Sequence, residues 1–346
     1  MKVFVDLHHS DLYYSLHLLL EKRLGFELYR PAGMDWFNEG YWQIAKPYNH
    51  DISIVKQFLN IDIEHPDRYH PRCGNYSVSC KNDIYYVYEP IHDYYQKAIT
   101  LETFKNLKFD LIISTVQEHD HTFQTLKDKY QPTAKHIAQL GNVGQKTEVK
   151  NVFHSVTYKP YPYQNAVLIH QEIDTNLYKF TPINSSTKNI YSVVNLAPDI
   201  ETYNLYKNQM TDCNFKYYGI NSPDGILDGT FGVSSKMIES NIGWSLKPLG
   251  GLGHSNMGWC YSGRPIITNM SQHRFFGGVA LQLFEPDVTC IDIESNDLEL
   301  NINKIRDWLL PENTIKYGEK LRNRFLELVN YDVEEQRFRQ FLSKLL

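Results

Sequence analysis

Apolar positions along the chain alternate between two spacings. Lys2–Leu7 is a short apolar run with strand character, and Leu12, Leu16, Leu19, Leu20 and Leu24 then recur at helical spacing. Ser10 is placed to cap that helix and Gly25 to end it, with Phe26–Tyr29 as the next strand. Strand, loop, helix and strand in this order build parallel sheets. Between Pro31 and Cys80 the rhythm breaks into an elaborated loop region holding Trp36, Tyr41, Trp42 and Tyr48, for which acceptor recognition is a natural use. Periodicity resumes with a strand at Ile84–Tyr88, a helix over Ile91–Leu107, a buried strand at Phe109–Ser114, a helix at Thr122–Tyr130 and a strand at Lys135–Leu140. Val152–Val156 and Val167–His170 close the unit.

A second α/β unit follows a stretch of little periodicity. Its strands are predicted at Ile190–Val194, Phe215–Gly219, Ile242–Leu246, Pro265–Thr268 and Val288–Ile293. Helices are expected around Ile200–Met210, Ser234–Ser240 and His273–Phe284, and in Asn296–Leu309 and Glu312–Val329. The expected division is a first domain over 1–174, a linker over 175–188, a second domain over 189–330 and a terminal helix over 331–346. That last segment places Phe338, Phe341, Leu342 and Leu345 on one face.

Composition adds bounds. A length of 346 residues suits two domains of ordinary size. The formal charge of −5 disfavours a globally basic nucleic-acid binder. The longest apolar runs fall far short of a bilayer span, and the N-terminus reads as a strand without a signal sequence. Five scattered cysteines fit a reducing compartment, so a cytoplasmic protein is expected. His65, His70, Cys73 and Cys80 match no well-specified zinc spacing.

The most informative stretch is Lys247-Pro-Leu-Gly-Gly-Leu-Gly-His-Ser-Asn256, which lies between a strand and a short helix. Gly250, Gly251 and Gly253 let the chain turn with positive φ and let backbone approach a ligand. Amide N–H groups at such a helix start face an anion, and His254, Ser255, Asn256 and Lys247 add donors and charge. A diphosphate is the natural guest. The sequel Ser262-Gly-Arg-Pro-Ile-Ile-Thr268 ends the helix on Gly263 and opens a strand at Pro265.

Ile242–Thr268 as a whole resembles the donor-binding half of GT-B glycosyltransferases. The resemblance implies two Rossmann-like parallel-sheet domains facing a cleft, with a C-terminal helix crossing back to the first. It implies transfer of a sugar from a nucleotide-diphosphate donor, UDP-sugar being favoured, with no metal and no other cofactor. Many retaining members carry a glutamate on this helix that binds the ribose; here the corresponding place, near Gly258, has no carboxylate.

Donor contacts are expected from Lys247, Gly250, Gly251, Gly253, His254, Ser255 and Asn256, with Asn195, Gly219 and Gln272 at neighbouring strand ends. Lys236 and Arg264 are weaker candidates, Arg264 being better suited to bracing the turn. An acceptor hydroxyl needs a general base near the first strand, for which Asp11, His9 and His119 are the candidates. His8, Ser10, Asp120 and His121 fall past strand ends on the acceptor side, where ligands of open α/β sheets sit. Each has a bland alternative, for Asp11 a favourable place in a helix first turn.

The acceptor remains open among glycans, small molecules and modified DNA, since phage DNA glucosyltransferases share the GT-B fold. The assembly is open between monomer and homodimer. A GT-B-like nucleotide-sugar epimerase is the competing enzyme, and a non-catalytic sugar-binding protein the structural rival. A GT-A enzyme would need a metal site for which Asp62-Ile-Glu64 and Asp292-Ile-Glu294 are poor matches.

Overall fold

The computed structural model describes residues 1–6, 10–31, 78–89, 92–115, 120–141, 144–158, 162–183, 186–193, 199–219, 222–227, 229–246, 252–294 and 297–346. They form two α/β lobes.

Nine strands make the first sheet: β1 (Lys2–Val5), β2 (Glu27–Pro31), β3 (Val78–Lys81), β4 (Ile84–Glu89), β5 (Tyr94–Ile99), β6 (Leu111–Ser114), β7 (Lys135–Leu140), β8 (Asn151–His154) and β9 (Asn165–Leu168). Their order is β3-β4-β5-β2-β1-β6-β7-β8-β9. β1 lies between β2 and β6, parallel to both, with Val3, Phe4 and Val5 fully buried. Strands covered on both faces need such unbroken apolar runs. Among the described helices of this lobe, α1 (Ser10–Leu16) continues as a π-helical stretch over His17–Arg23 and buries all five predicted leucines. Gly25 ends it at φ +70°.

One expectation fails here. Ile91–Leu107 is not one helix: Tyr94–Ile99 is a strand, and only Leu101–Asn106 (α2) is helical. The alternation of buried Tyr94, Gln96 and Ala98 with exposed Tyr95 has period two, and Thr100 caps the helix by accepting from the Thr103 N–H. From β5 to β9 the sheet is parallel as expected, and β3, β4 and β5 add an antiparallel edge. Asn82 and Asp83, both at positive φ, make the tight turn between β3 and β4. Residues 32–77, which hold most of the region read as an elaborated loop, lie outside the described residues.

The second sheet contains β10 (Asn189–Val193), β11 (Asn214–Tyr218), β12 (Ile242–Trp244), β13 (Ile266–Thr268) and β14 (Cys290–Asp292). Its order is β11-β10-β12-β13-β14, parallel throughout. The remaining helices are α3 (Asp120–Tyr130) on the first lobe and, on the second, α4 (Ile200–Gln209), α5 (Gly229–Glu239), α6 (Gly253–Tyr261), α7 (Met270–Phe276), α8 (Ala280–Leu283), α9 (Leu298–Trp308) and α10 (Pro311–Leu328). The single helix expected over His273–Phe284 is two, because Gly277 adopts φ +63° between them.

The stretch read as a linker is packed down. Tyr178 joins the core of the second lobe, and Thr181 binds the buried Arg264. The last helix, α11 (Tyr331–Leu345), returns to the first lobe as expected. Its Phe338 meets Phe153 edge-on at 5.4 Å, and Phe338, Phe341 and Leu342 share a core with Val3 and Ile113. Glu334, buried, holds the backbone N–H and Nδ1 of His170, each at 2.6 Å.

Candidate functional site

The glycine-rich turn follows the carboxyl end of β12. Lys247, Gly250 and Gly251 lie outside the described residues, which resume at Leu252. Gly253 turns into α6 at φ +70°, a conformation that costs a residue with a Cβ roughly 1–2 kcal/mol. Gly253, His254 and Ser255 are half-buried. The first N–H groups of the helix have no acceptor within it and suit an external anion.

Asn256 faces the other way. It is fully buried, and its Oδ1 accepts from the Ser245 hydroxyl at 2.6 Å. Thr268 Oγ1, at the end of β13, donates to the Ser245 carbonyl and shares a 3.0 Å hydrogen bond with His273 Nε2. These four side chains lock the ends of β12 and β13 to α6 and α7. Gln272, one residue before His273, is half-buried, and its Oε1 has no donor among the described residues. Asn195 falls outside the described residues. Gly219 ends β11 and closes a tight turn through its N–H to Gly225 at 2.9 Å.

Arg264 braces the turn as expected. Its Nη1 donates to the carbonyls of Thr181 and Ser262, and its Nη2 to Thr181 Oγ1 and the Ile238 carbonyl. Burial lowers its pKa to about 10. Lys236 is engaged with Glu239 at 2.6 Å. Gly258 packs so closely that a Cβ there would stand 2.6 Å from Tyr178 Cε1 and 2.8 Å from Met237 Sδ. Gly258 therefore faces core in this chain.

On the first lobe, His8, His9 and His119 lie outside the described residues. Ser10 opens α1 and Asp120 opens α3, with His121 exposed in its first turn. Asp11, half-buried, reaches across to the second lobe and accepts a hydrogen bond from Thr230 Oγ1 on α5. Burial raises the Tyr178 pKa well above the usual phenol value, and the negative charge of Asp11 adds to the rise. Asp11, Thr230 and Tyr178 thus meet where the lobes face each other. A second junction pairs the Val279 N–H with the Val156 carbonyl at 2.9 Å and Thr157 Oγ1 with the Gly277 carbonyl at 3.1 Å.

This arrangement of lobes has known counterparts. TarM superposes with a TM-score of 0.61 at 10% identity, covering 98% of each chain. Sucrose-phosphate synthase from Thermosynechococcus elongatus gives 0.60 at 12% identity, over all of this chain and 99% of that one. HepE of Anabaena, solved in complex with UDP, gives 0.53 at 10% identity over 99% of this chain and all of its own. The fold is GT-B. No protein-family model matches the chain, and no curated protein matches it.

Sequence reasoning missed two side chains that tie elements together here. Asp6, at the end of β1, accepts from both the N–H and the hydroxyl of Thr115, tying β1 to the end of β6. A carboxylate closing an apolar strand was the available signal. Thr230 had none, because its partner is 219 positions away. Among the described residues no cluster of three or more metal-ligating side chains occurs. Asp292 Oδ1 accepts from the N–H groups of Met270 and Glu294, and Arg274 pairs with Glu294 at 2.6 Å, so Asp292-Ile-Glu294 serves the local fold. No described helix is long and apolar enough to cross a membrane.

Proposed function

We propose that this protein is a glycosyltransferase that takes its sugar from a nucleotide-diphosphate donor, UDP-sugar first among the candidates, without an essential metal. The observation that carries the reading is the half-buried Gly253 turn at a strand's carboxyl end of a GT-B fold, where α6 starts. Several proteins with this fold were solved with UDP, including TarM of S. aureus and the pneumococcal O-GlcNAc transferase GtfA, the latter also with GlcNAc.

In this reading the diphosphate lies on the backbone N–H groups of the turn, with Lys247, His254 and Ser255 beside it. Negative charge grows on the departing diphosphate as the glycosidic bond breaks, and preorganised N–H groups and a lysine stabilise it. Gln272 and Asn195 line the same side, and Gly219 borders the base. The acceptor hydroxyl approaches from the first lobe, where Asp11 takes its proton. His8, His9, Ser10, His119, Asp120 and His121 belong to that acceptor side. The protein works in the cytoplasm.

A thermal-shift panel of UDP, GDP, ADP and CDP tests the donor half directly, since a ligand that binds only the folded state raises its melting temperature. UDP is expected to stabilise selectively, and a flat panel would end this reading. Incubation with labelled UDP-sugars then separates slow hydrolysis by a transferase from interconversion of sugars by an epimerase. Lys247→Ala is expected to raise the donor KM or abolish turnover with little change in melting temperature.

A further inference from the structure

At the opposite end of the first sheet, away from the cleft, β7, β8 and β9 begin side by side. Two grooves open there, of about 350 Å³ and 260 Å³. Both are lined by Asn151, so they join into one track. Its first half carries Lys127, Lys135 and Lys150, and its second half Arg337 and Lys344 from α11. Lys127 is bonded to Asp128, but Lys135, Lys150, Arg337 and Lys344 are exposed and in no ion pair among the described residues. Among the described residues, Glu148 is the one carboxylate in the lining of either groove.

Four exposed cations without an ion pair among the described residues gather here on a chain whose formal charge is −5. Like charges held side by side repel, and a bound polyanion relieves that repulsion while releasing its own counterions. Amides line the grooves beside the cations: Gln164 and Gln340, together with Gln124, Asn151 and Asn165, which also bond Asp128, His136 and each other. Amides donate to and accept from hydroxyl groups, which suits a sugar chain. Among the described residues no exposed aromatic ring lines either groove, so these residues offer nucleic-acid bases no stacking platform.

We propose that this track binds an anionic glycan, a hydroxyl-rich chain bearing sulfate or phosphate groups, outside the catalytic cleft. The site holds the acceptor polymer while another part of it reaches the cleft. Binding stands on the track alone; the acceptor role rests on the glycosyl-transfer reading above.

The test is fluorescence anisotropy with a labelled sulfated pentasaccharide, using neutral maltopentaose and single-stranded DNA of equal charge as competitors. The expected result is saturable binding of the sulfated sugar that weakens as salt rises, with no competition from maltopentaose. Lys135→Glu/Lys150→Glu and Arg337→Glu/Lys344→Glu are each expected to raise its Kd roughly tenfold or more. Both variants should keep the wild-type thermal shift with UDP. Unchanged Kd in either variant, or tighter binding of the DNA, overturns the proposal. Loss of the UDP shift in wild type with glycan binding intact would count against the donor reading alone.

Discussion

The cluster behind the glycine turn and the strand ends of the first lobe are secured by different chemistry. In the second lobe's cluster, Ser245, Asn256 and Thr268 interlock through hydroxyl and amide groups, with His273 as its one ionisable member. In the first, ionisable groups predominate: Asp6 holds Thr115, His136 bonds the Ser114 hydroxyl at 3.0 Å, and Glu334 grips His170. A framework of neutral groups keeps its geometry across pH. One built on carboxylates and histidines follows the protonation of its members. The side proposed to hold the donor is therefore preorganised, and the side proposed to hold the acceptor is the more responsive.

The largest expected effect breaks this contrast at its catalytic point. Asp11→Asn should lower kcat by roughly 10²- to 10⁴-fold while leaving UDP binding unchanged. Equal loss of both would make Asp11 a strut between lobes. Arg264→Met should destabilise the second lobe by about 3 kcal/mol in urea denaturation, because carbonyls of Thr181, Ser262 and Ile238 lose a charged donor. Gly258→Ala should cost about 1–3 kcal/mol by the same assay, since its methyl group meets Tyr178 and Met237.

The pH prediction bears on the first lobe. Burial lowers the pKa of His136 to about 4, with the Lys127 charge adding, and that of His154 to about 4, with His170 adding. Between the ordinary value of 6.5 and about 4, the unfolded chain takes up protons that these folded rings refuse. Stability is thus expected to fall as pH drops through that window, with loss of the Phe153–Phe338 contact preceding unfolding of the second lobe. Denaturation monitored at pH 7 and pH 5 checks it, and identical midpoints would refute it. The smallest effect is that of Thr230→Val. Losing one hydrogen bond across the lobes should change kcat only a few-fold and leave stability within about 1 kcal/mol.

Much of the fold was legible because periodicity is local. Lys135–Leu140 is the strand its sequence predicts, and Gly263, at φ +67°, ends α6 as its place after Ser262 implies. Errors arose where a local signal was ambiguous. Tyr94–Ile99 holds enough apolar residues to pass for one face of a helix, and its pairing with β4 is what makes it a strand. The helix expected over His273–Phe284 is split where Gly277 takes positive φ. The positive φ of Gly253 was readable because its neighbours in sequence define the turn. Inward-facing Asn256 was not, since Ser245 Oγ, its partner, competes with any ligand for the amide oxygen. The basic track was invisible too: its residues run from Lys127 to Lys344 and converge only in three dimensions.

The returning helix imposes an order on biosynthesis. Val3 and Ile113 leave the ribosome early, yet the core that shields them includes Phe338 and Leu342. The lobe synthesised first is completed by the segment synthesised late, whereas β10 to β14 and their covering helices can condense without waiting. Until that helix docks, the nascent first half carries an open apolar seam, which makes it the natural client of a chaperone.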